Sequence, residues 1–158
     1  MTAPIPQIPA YLLDPATWGE PVRVWVPGAP VGKERPRFAR VGKFVRTYTP
    51  AKTLTFERRV AEALWRFPAP PSPFRLVCLL VYGRPKKRPA WVSPRLWAEV
   101  YPLHVGNMDG DNGQKAVMDG AGDWLGNDRQ VVGGTWWKVC GAEPGVLIEV
   151  SGLSQGWR

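Results

Sequence analysis

The chain has 158 residues, the size of a single domain, with 44% hydrophobic and 22% charged residues, a balance that buries a sizeable core and excludes global disorder. It contains no apolar run of the roughly 18 residues that a membrane-spanning helix needs, and Met1 to Pro15 lacks the basic and apolar regions of a secretory signal. The net charge is +8 and the pI about 9.9, which points to a phosphate-bearing partner, with a solubilising basic surface as the plain alternative.

In chain order, residues 1–20 hold four prolines and read as an irregular arm. Pro21 to Pro27 alternates valines with Arg23 and Trp25 and predicts a first strand. Gly28 to Arg37 is a basic, Gly/Pro-containing loop, and Phe38 to Tyr48 predicts a β-hairpin turning at Gly42. Thr49 and Pro50 form a helix start, Thr as N-cap and Pro as first helical residue. Phe56, Val60, Ala63, Leu64 and Phe67 then give one apolar face, ended by the prolines from Pro68 to Pro71. Arg75 to Tyr82 predicts a buried strand, with Cys78 in the core. Gly83 to Pro102 reads as a long insertion without regular structure, and loops of that length are often functional. Tyr101 to Val105 is a candidate strand. Asn112 to Trp124 predicts a second helix capped by Asp111, with Gly113, Gly120 and Gly122 each weakening it by roughly 1 kcal/mol. Gln130 to Cys140 and Val146 to Val150 predict two last strands. Trp136 and Trp137 face opposite ways, one for the core and one for the surface or an interface. The order predicts one α+β domain over residues 21–152, with a mixed sheet and two main helices, and a tail over 153–158.

Two cysteines, Cys78 and Cys140, make neither a disulfide framework nor a zinc site, and are expected to be reduced thiols of a cytoplasmic protein. A single histidine, His104, excludes a histidine-cluster metal site and argues against Ser-His or Cys-His catalysis; a structural role is expected for it.

The charges are segregated. Lys33 to Arg66 holds ten basic and three acidic residues, and Arg84, Lys86, Lys87, Arg88 and Arg95 form a second basic run. The aspartates gather elsewhere, as Asp109, Asp111, Asp119, Asp123 and Asp128, against only Lys115 and Arg129. Clustered carboxylates repel one another unless a proton or cation neutralises them. On an extended segment Asp109 and Asp111 face one way. Asp111, Lys115 and Asp119 follow at four-residue spacing along one helix face, and Asp128 can return at the start of the next strand. Three or four carboxylates converging without histidine would suit Mg2+ or Mn2+, and Lys115 could hold a carboxylate ionised or contact a phosphate. Turn-and-cap chemistry and a structural calcium loop remain open on spacing alone. An EF-hand fits poorly, because its fifth and twelfth positions would be Gly113 and Gly120.

Two segments together resemble a known family. Gly28 to Phe38 reads GAPVGKERPRF and is followed by Tyr48-Thr49-Pro50. The second segment runs Asp109-Gly110-Asp111-Asn112, then Lys115 and Asp119, then Asn127-Asp128-Arg129-Gln130-Val131. In this order and spacing the chain resembles the RusA-type Holliday junction resolvases, DNA endonucleases common in bacterial prophages, over roughly residues 22–150. The resemblance implies a homodimer with two active sites. Each subunit would cut one strand of a four-way DNA junction with Mg2+ (Mn2+ as a substitute), with no organic cofactor and no membrane. It implies Asp109, Asp111 and Asp128 as catalytic, metal-holding carboxylates and Lys115 as catalytic lysine, with Asn112 and Asp119 in support. Lys33, Arg35 and Arg37, then Lys86, Lys87 and Arg88, are the expected phosphate contacts. Trp91 or Trp97 is a candidate to stack on opened bases, packing being the alternative. The sequence departs from the family pattern at Gly113, where a large apolar residue is usual, at Asn107-Met108 and at Asn127. Two other readings stay open: a non-catalytic branched-DNA binder that kept the fold, and a less specific phage nuclease acting on flaps.

Overall fold

The fold is taken from a computed structural model that describes residues 9–99, 103–106 and 108–154. Six strands and two long helices carry it. Strand β1 (Val22–Pro27) is followed by a hairpin of β2 (Arg37–Val41) and β3 (Phe44–Tyr48). A short helix α1 (Ala10–Leu13) precedes β1, and α2 (Ala51–Leu64) follows the hairpin. Then come β4 (Phe74–Gly83), the short α3 (Pro94–Ala98), α4 (Gly110–Leu125), β5 (Val131–Gly141) and β6 (Gly145–Gly152). The main sheet has the order β1-β6-β4-β5; β4 and β5 are parallel and the other pairs antiparallel, so the expected mixed sheet is present.

Both long helices lie on one face of that sheet. Val24 and Val26 of β1, Leu76, Cys78 and Leu80 of β4, and Val146, Ile148 and Val150 of β6 alternate inward against Phe56, Val60 and Leu64 of α2 and Ala116, Val117 and Ala121 of α4. Burial pushes the Cys78 thiol up to about 12, so it stays protonated and inert. The opposite face carries a row running Trp25, Leu147, Leu79, Trp137 across all four strands in register. Trp136 and Trp137 do face opposite ways, but neither enters the core: they are 38% and 57% exposed. β5 is an edge strand, and Trp136 packs on the first residue of α4, Gly110, with its outer side open to solvent.

Several boundaries differ from the expectations. α2 starts at Ala51 with Pro50 at the cap position, and Thr49 makes no cap. Phe67 lies past the last helical turn and is 44% exposed, while its carbonyl accepts a hydrogen bond from Trp124 Nε1 at 2.9 Å. The insertion after β4 contains α3, capped by Ser93, whose hydroxyl accepts from the Leu96 amide. Of the candidate strand at 101–105, residues 101 and 102 lie outside the described residues and Leu103 forms a single bridge to Val139. The N-terminal arm ends earlier than expected, because Thr17 to Gly19 extend the sheet edge: Trp18 bridges Leu153, Gly19 bonds Gly152 and Ser154 bonds Thr17.

The glycines of α4 are contact points and not only a cost. A Cβ on Gly120 would stand 2.7 Å from the Glu57 carbonyl oxygen and 2.8 Å from Val60, so this glycine sets the close approach of α4 to α2. A Cβ on Gly113 would meet Leu80 at 2.6 Å. Gly122, by contrast, faces open space.

Candidate active site

α4 carries the aspartates, and its start differs by one step from the sequence reading. Asp109, not Asp111, is the N-cap residue, and neither side chain makes a cap hydrogen bond. Asp111 is therefore in the first helical turn, and the pair does not alternate along an extended strand. Both sit where the positive end of the helix dipole favours carboxylates. Asp111, Lys115, Asp119 and Asp123 follow along the solvent side of the helix, as the four-residue spacing implied.

The entry to α4 is held by one face of β5. Every second residue there engages the incoming segment. The Trp136 ring lies against Gly110, where a Cβ would come within 2.1 Å of it. Lys138 Nζ donates to the Met108 carbonyl at 2.7 Å and the Gly106 carbonyl at 3.5 Å. Cys140 Sγ lies 3.4 Å from His104 Nδ1, and the His104 ring stacks on Tyr82 at 4.2 Å between centroids. His104 is thus structural, as expected; burial first, and the Lys138 charge second, hold its pKa below the usual histidine value. Sequence reasoning missed Trp136 and Lys138. The available signal was their alternation on a strand that follows an Asp-Gly-Asp segment needing support.

On its other side the same entry meets the basic arm. The Lys33 amide bonds the Asn112 carbonyl at 2.9 Å, and Val31 to Glu34 line a cleft of about 360 Å³ with Met108, Asp109 and Asn112. Arg59 donates to the Pro27 carbonyl at 2.6 Å and fixes the root of the arm. Lys33 itself is not a free phosphate contact. Its ammonium lies 2.7 Å from both Glu57 of α2 and Asp119 of α4, and the three side chains are only 15–28% exposed. Burial pulls the Lys33 pKa down, but the hydrogen bonds to Asp119 and Glu57 outweigh it and hold the group above the usual lysine value. Asp119 is accordingly engaged in a structural bridge.

The remaining expected contacts are at the surface. Arg35 is exposed; Arg37 pairs with Glu34 at 2.9 Å on the surface. Lys86 and Lys87 are exposed and make no ion pair among the described residues. Arg88 donates to the Val92 carbonyl and so shapes its own loop. Trp97 packs under the Arg84 guanidinium at 5.2 Å, whereas Trp91 is 53% exposed.

The far end of α4 is built differently. Gly126, at φ 74°, ends the helix, and Asp128 opens a 3-10 turn (Asp128–Gln130) before β5, not the strand itself. Asn127, where the family pattern has an acid, caps that turn by accepting from the Arg129 amide at 2.9 Å. Met118, Asp119, Gly122, Asp123, Asn127 and Asp128 line a cleft of about 330 Å³ here. No basic residue occupies the last turn of α4, so Asp123 and Asp128 face the negative end of the helix dipole unrelieved by it.

These two ends are far apart. Sixteen helical residues separate Asp109 from Gly126, about 24 Å at 1.5 Å per residue. Among the described residues no group of three or more His, Cys, Asp or Glu is placed to hold a metal ion. Within one chain, therefore, Asp109, Asp111 and Asp128 do not fit one shared Mg2+, and the convergence expected from spacing does not occur.

A carboxylate-bearing helix beside a cationic arm, on a mixed α+β sheet, is the framework of a protein that works on phosphate backbones. The family model described as endodeoxyribonuclease RusA matches residues 27–151, most of the chain, and the protein belongs to that family of Holliday junction-resolving endodeoxyribonucleases. A search of the curated proteins finds no matching sequence. Among the described residues no helix is long and apolar enough to cross a membrane.

Proposed function

We propose that the protein is a dimeric, Mg2+-dependent endonuclease that resolves four-way DNA junctions, with each active site completed by a second copy of the chain. The observation that carries this reading is the length of α4 between its two acidic ends. A two-fold axis perpendicular to α4 and passing beside its middle would set two copies of the helix antiparallel, with Asp128 of the partner subunit next to Asp109 and Asp111. Oxygen ligands of this kind are what Mg2+ takes, the ion supplying charge stabilisation at a phosphoryl group when bound.

The chain's own residues then divide the work. Asp109 and Asp111 supply anionic oxygens at the supported end of α4. Lys115, one turn beyond Asp111 and without an ion pair among the described residues, reaches toward the scissile phosphate and offsets its charge. Trp136 and Lys138 fix the backbone from which the first two carboxylates project. Arg35, Arg37, Lys86 and Lys87 contact flanking phosphates, which makes binding fall steeply with salt. Gly113 and Asn127 are the departures that favour the non-catalytic binder; the close packing at Gly113 against Leu80 and Met108 gives that glycine a structural reason of its own.

The test is cleavage of a labelled four-way junction by the wild type and Asp111→Asn, with and without Mg2+. Paired symmetrical nicks that need the ion and vanish in the variant are expected. Binding without nicks, in Mg2+ and in Mn2+, would leave a junction-binding protein and refute the nuclease reading. Equal cutting of flaps and junctions would support the less specific nuclease.

A further inference from the structure

The β2–β3 hairpin has no part in the core. Neither strand makes more than glancing contact with any other helix or strand. Its turn is two residues, Gly42 and Lys43, with Gly42 at φ 62°, a conformation that favours glycine. Five residues at about 3.4 Å each carry the tip about 17 Å from the root of the arm. Such an isolated two-stranded ribbon is marginal in water and gains from a partner.

Its surface says which partner. Phe38 is 74% exposed, Phe44 78% and Val45 68%, and Tyr48 is exposed as well. Interleaved with them are Arg35, Arg37, Arg40, Lys43 and Arg46, and no acidic residue occurs from Arg35 to Tyr48. Aromatic rings among cations, without carboxylates, fit stacked bases on an anionic backbone. Position agrees. The hairpin starts three residues after Glu34, which lines the cleft containing Asp109, so its root stands at the supported end of α4.

We propose that the β2–β3 hairpin is a branch-point probe: its cations track the phosphates while Phe44, beside the tip, stacks on an unpaired base at the centre of the junction. The proposal rests on the resolvase reading and adds to it the element that selects branched over linear DNA. A continuous duplex offers no unstacked base to the ring, whereas an opened branch point does.

The experiment uses the full chain, in EDTA to prevent cutting, with a four-way junction carrying 2-aminopurine at the branch point and a linear duplex of equal length. Wild type, Phe44→Ala, Phe38→Ala/Phe44→Ala and Arg40→Gln/Lys43→Gln/Arg46→Gln are compared. The wild type should raise 2-aminopurine fluorescence on binding. Phe44→Ala should remove that rise and weaken junction binding about tenfold, in line with the loss of one aromatic stack, while duplex binding changes less than about twofold. The triple charge variant should weaken both DNAs and flatten the salt dependence by about three phosphate contacts. Thermal melting should be unchanged in all variants, because the hairpin lies off the core. Phe44→Ala with wild-type junction affinity and fluorescence overturns the proposal. So does a Phe44→Ala protein that sediments as a smaller species, since the hairpin would then be a subunit contact. A wild type that neither binds nor cuts junctions refutes the resolvase reading itself, and this proposal with it.

Discussion

The two ends of α4 carry the same residue type and are built in opposite ways. At the N-terminal end, Asp109 and Asp111 lie on a backbone gripped by Trp136 and Lys138 from one side and by the Lys33 segment from the other. At the C-terminal end, Asp128 rides on a 3-10 turn after Gly126 whose hydrogen bonds are all local, from the Arg129 and Gln130 amides to Asn127 and from the Val131 amide to Asp128. The helix dipole favours carboxylates at the first end and opposes them at the second. In the proposed dimer these two ends would be the complementary halves of one site.

The largest expected effects come from removing either half. Asp111→Asn and Asp128→Asn should each lower junction cleavage roughly 10³-fold or more, as for groups that act as one unit, with junction binding in EDTA preserved. If Asp128→Asn cuts normally, the two ends are not halves of one site. Next comes the support at the first end. Lys138→Met should cut kcat about 10- to 100-fold, the usual cost of losing a positioning partner, with the junction Kd unchanged and partial rescue in Lys138→Arg. A variant with reduced binding and unchanged kcat would assign Lys138 to DNA contact.

Two stability effects sharpen the contrast further. Lys33→Met leaves Glu57 and Asp119 facing each other in a half-buried spot without their shared cation, and should cost about 1 kcal/mol, a melting point lower by about 2–4 °C in calorimetry. Gly120→Ala should destabilise by about 1–3 kcal/mol through overpacking on α2, while Gly122→Ala, in open space, should stabilise by up to about 1 kcal/mol. Equal melting points for these two alanine variants would contradict the close-approach role of Gly120.

The smallest effect is one of pH. His104 has a folded pKa below its unfolded value near 6.5, so protons bind the unfolded chain more readily. Its neutral stack on Tyr82 contributes fully above that unfolded value, and the contribution is lost as pH falls through the folded pKa. Melting points between pH 7.5 and 5 should therefore fall more in the wild type than in His104→Gln.

Much of this was legible in the residues. The alternating valines of β1, the 56-60-64 face of α2, the hairpin turn at Gly42 and the apolar run of β4 follow from local periodicity, which tertiary contacts only reinforce. The aspartates were found for the same reason, as a local motif. Their separation was legible too: a helix over Asn112 to Trp124 is about 20 Å long at 1.5 Å per residue and holds Asp111 away from Asp128, which the expected convergence left out of account. Lys33 was read as a DNA contact because its neighbours in sequence are basic; its partners Glu57 and Asp119 are distant in sequence and close only once α2 and α4 pack. Neither Trp136 nor Trp137 enters the core, although their alternation predicts that one of them should, because alternation cannot tell an edge strand from a central one.

The most direct test of the divided site is a mixing experiment. Asp111→Asn and Asp128→Asn proteins are each inactive alone. Unfolded together and refolded so that subunits exchange, they should form a mixed dimer in which one site loses both carboxylates and the other keeps both. We expect single-strand nicking of a four-way junction to return in the mixture, at up to about a quarter of the nicks given by the same amount of wild-type dimer, with paired cuts still absent. A mixture as inactive as its components, with subunit exchange verified by a tagged protomer, would contradict a site shared between subunits.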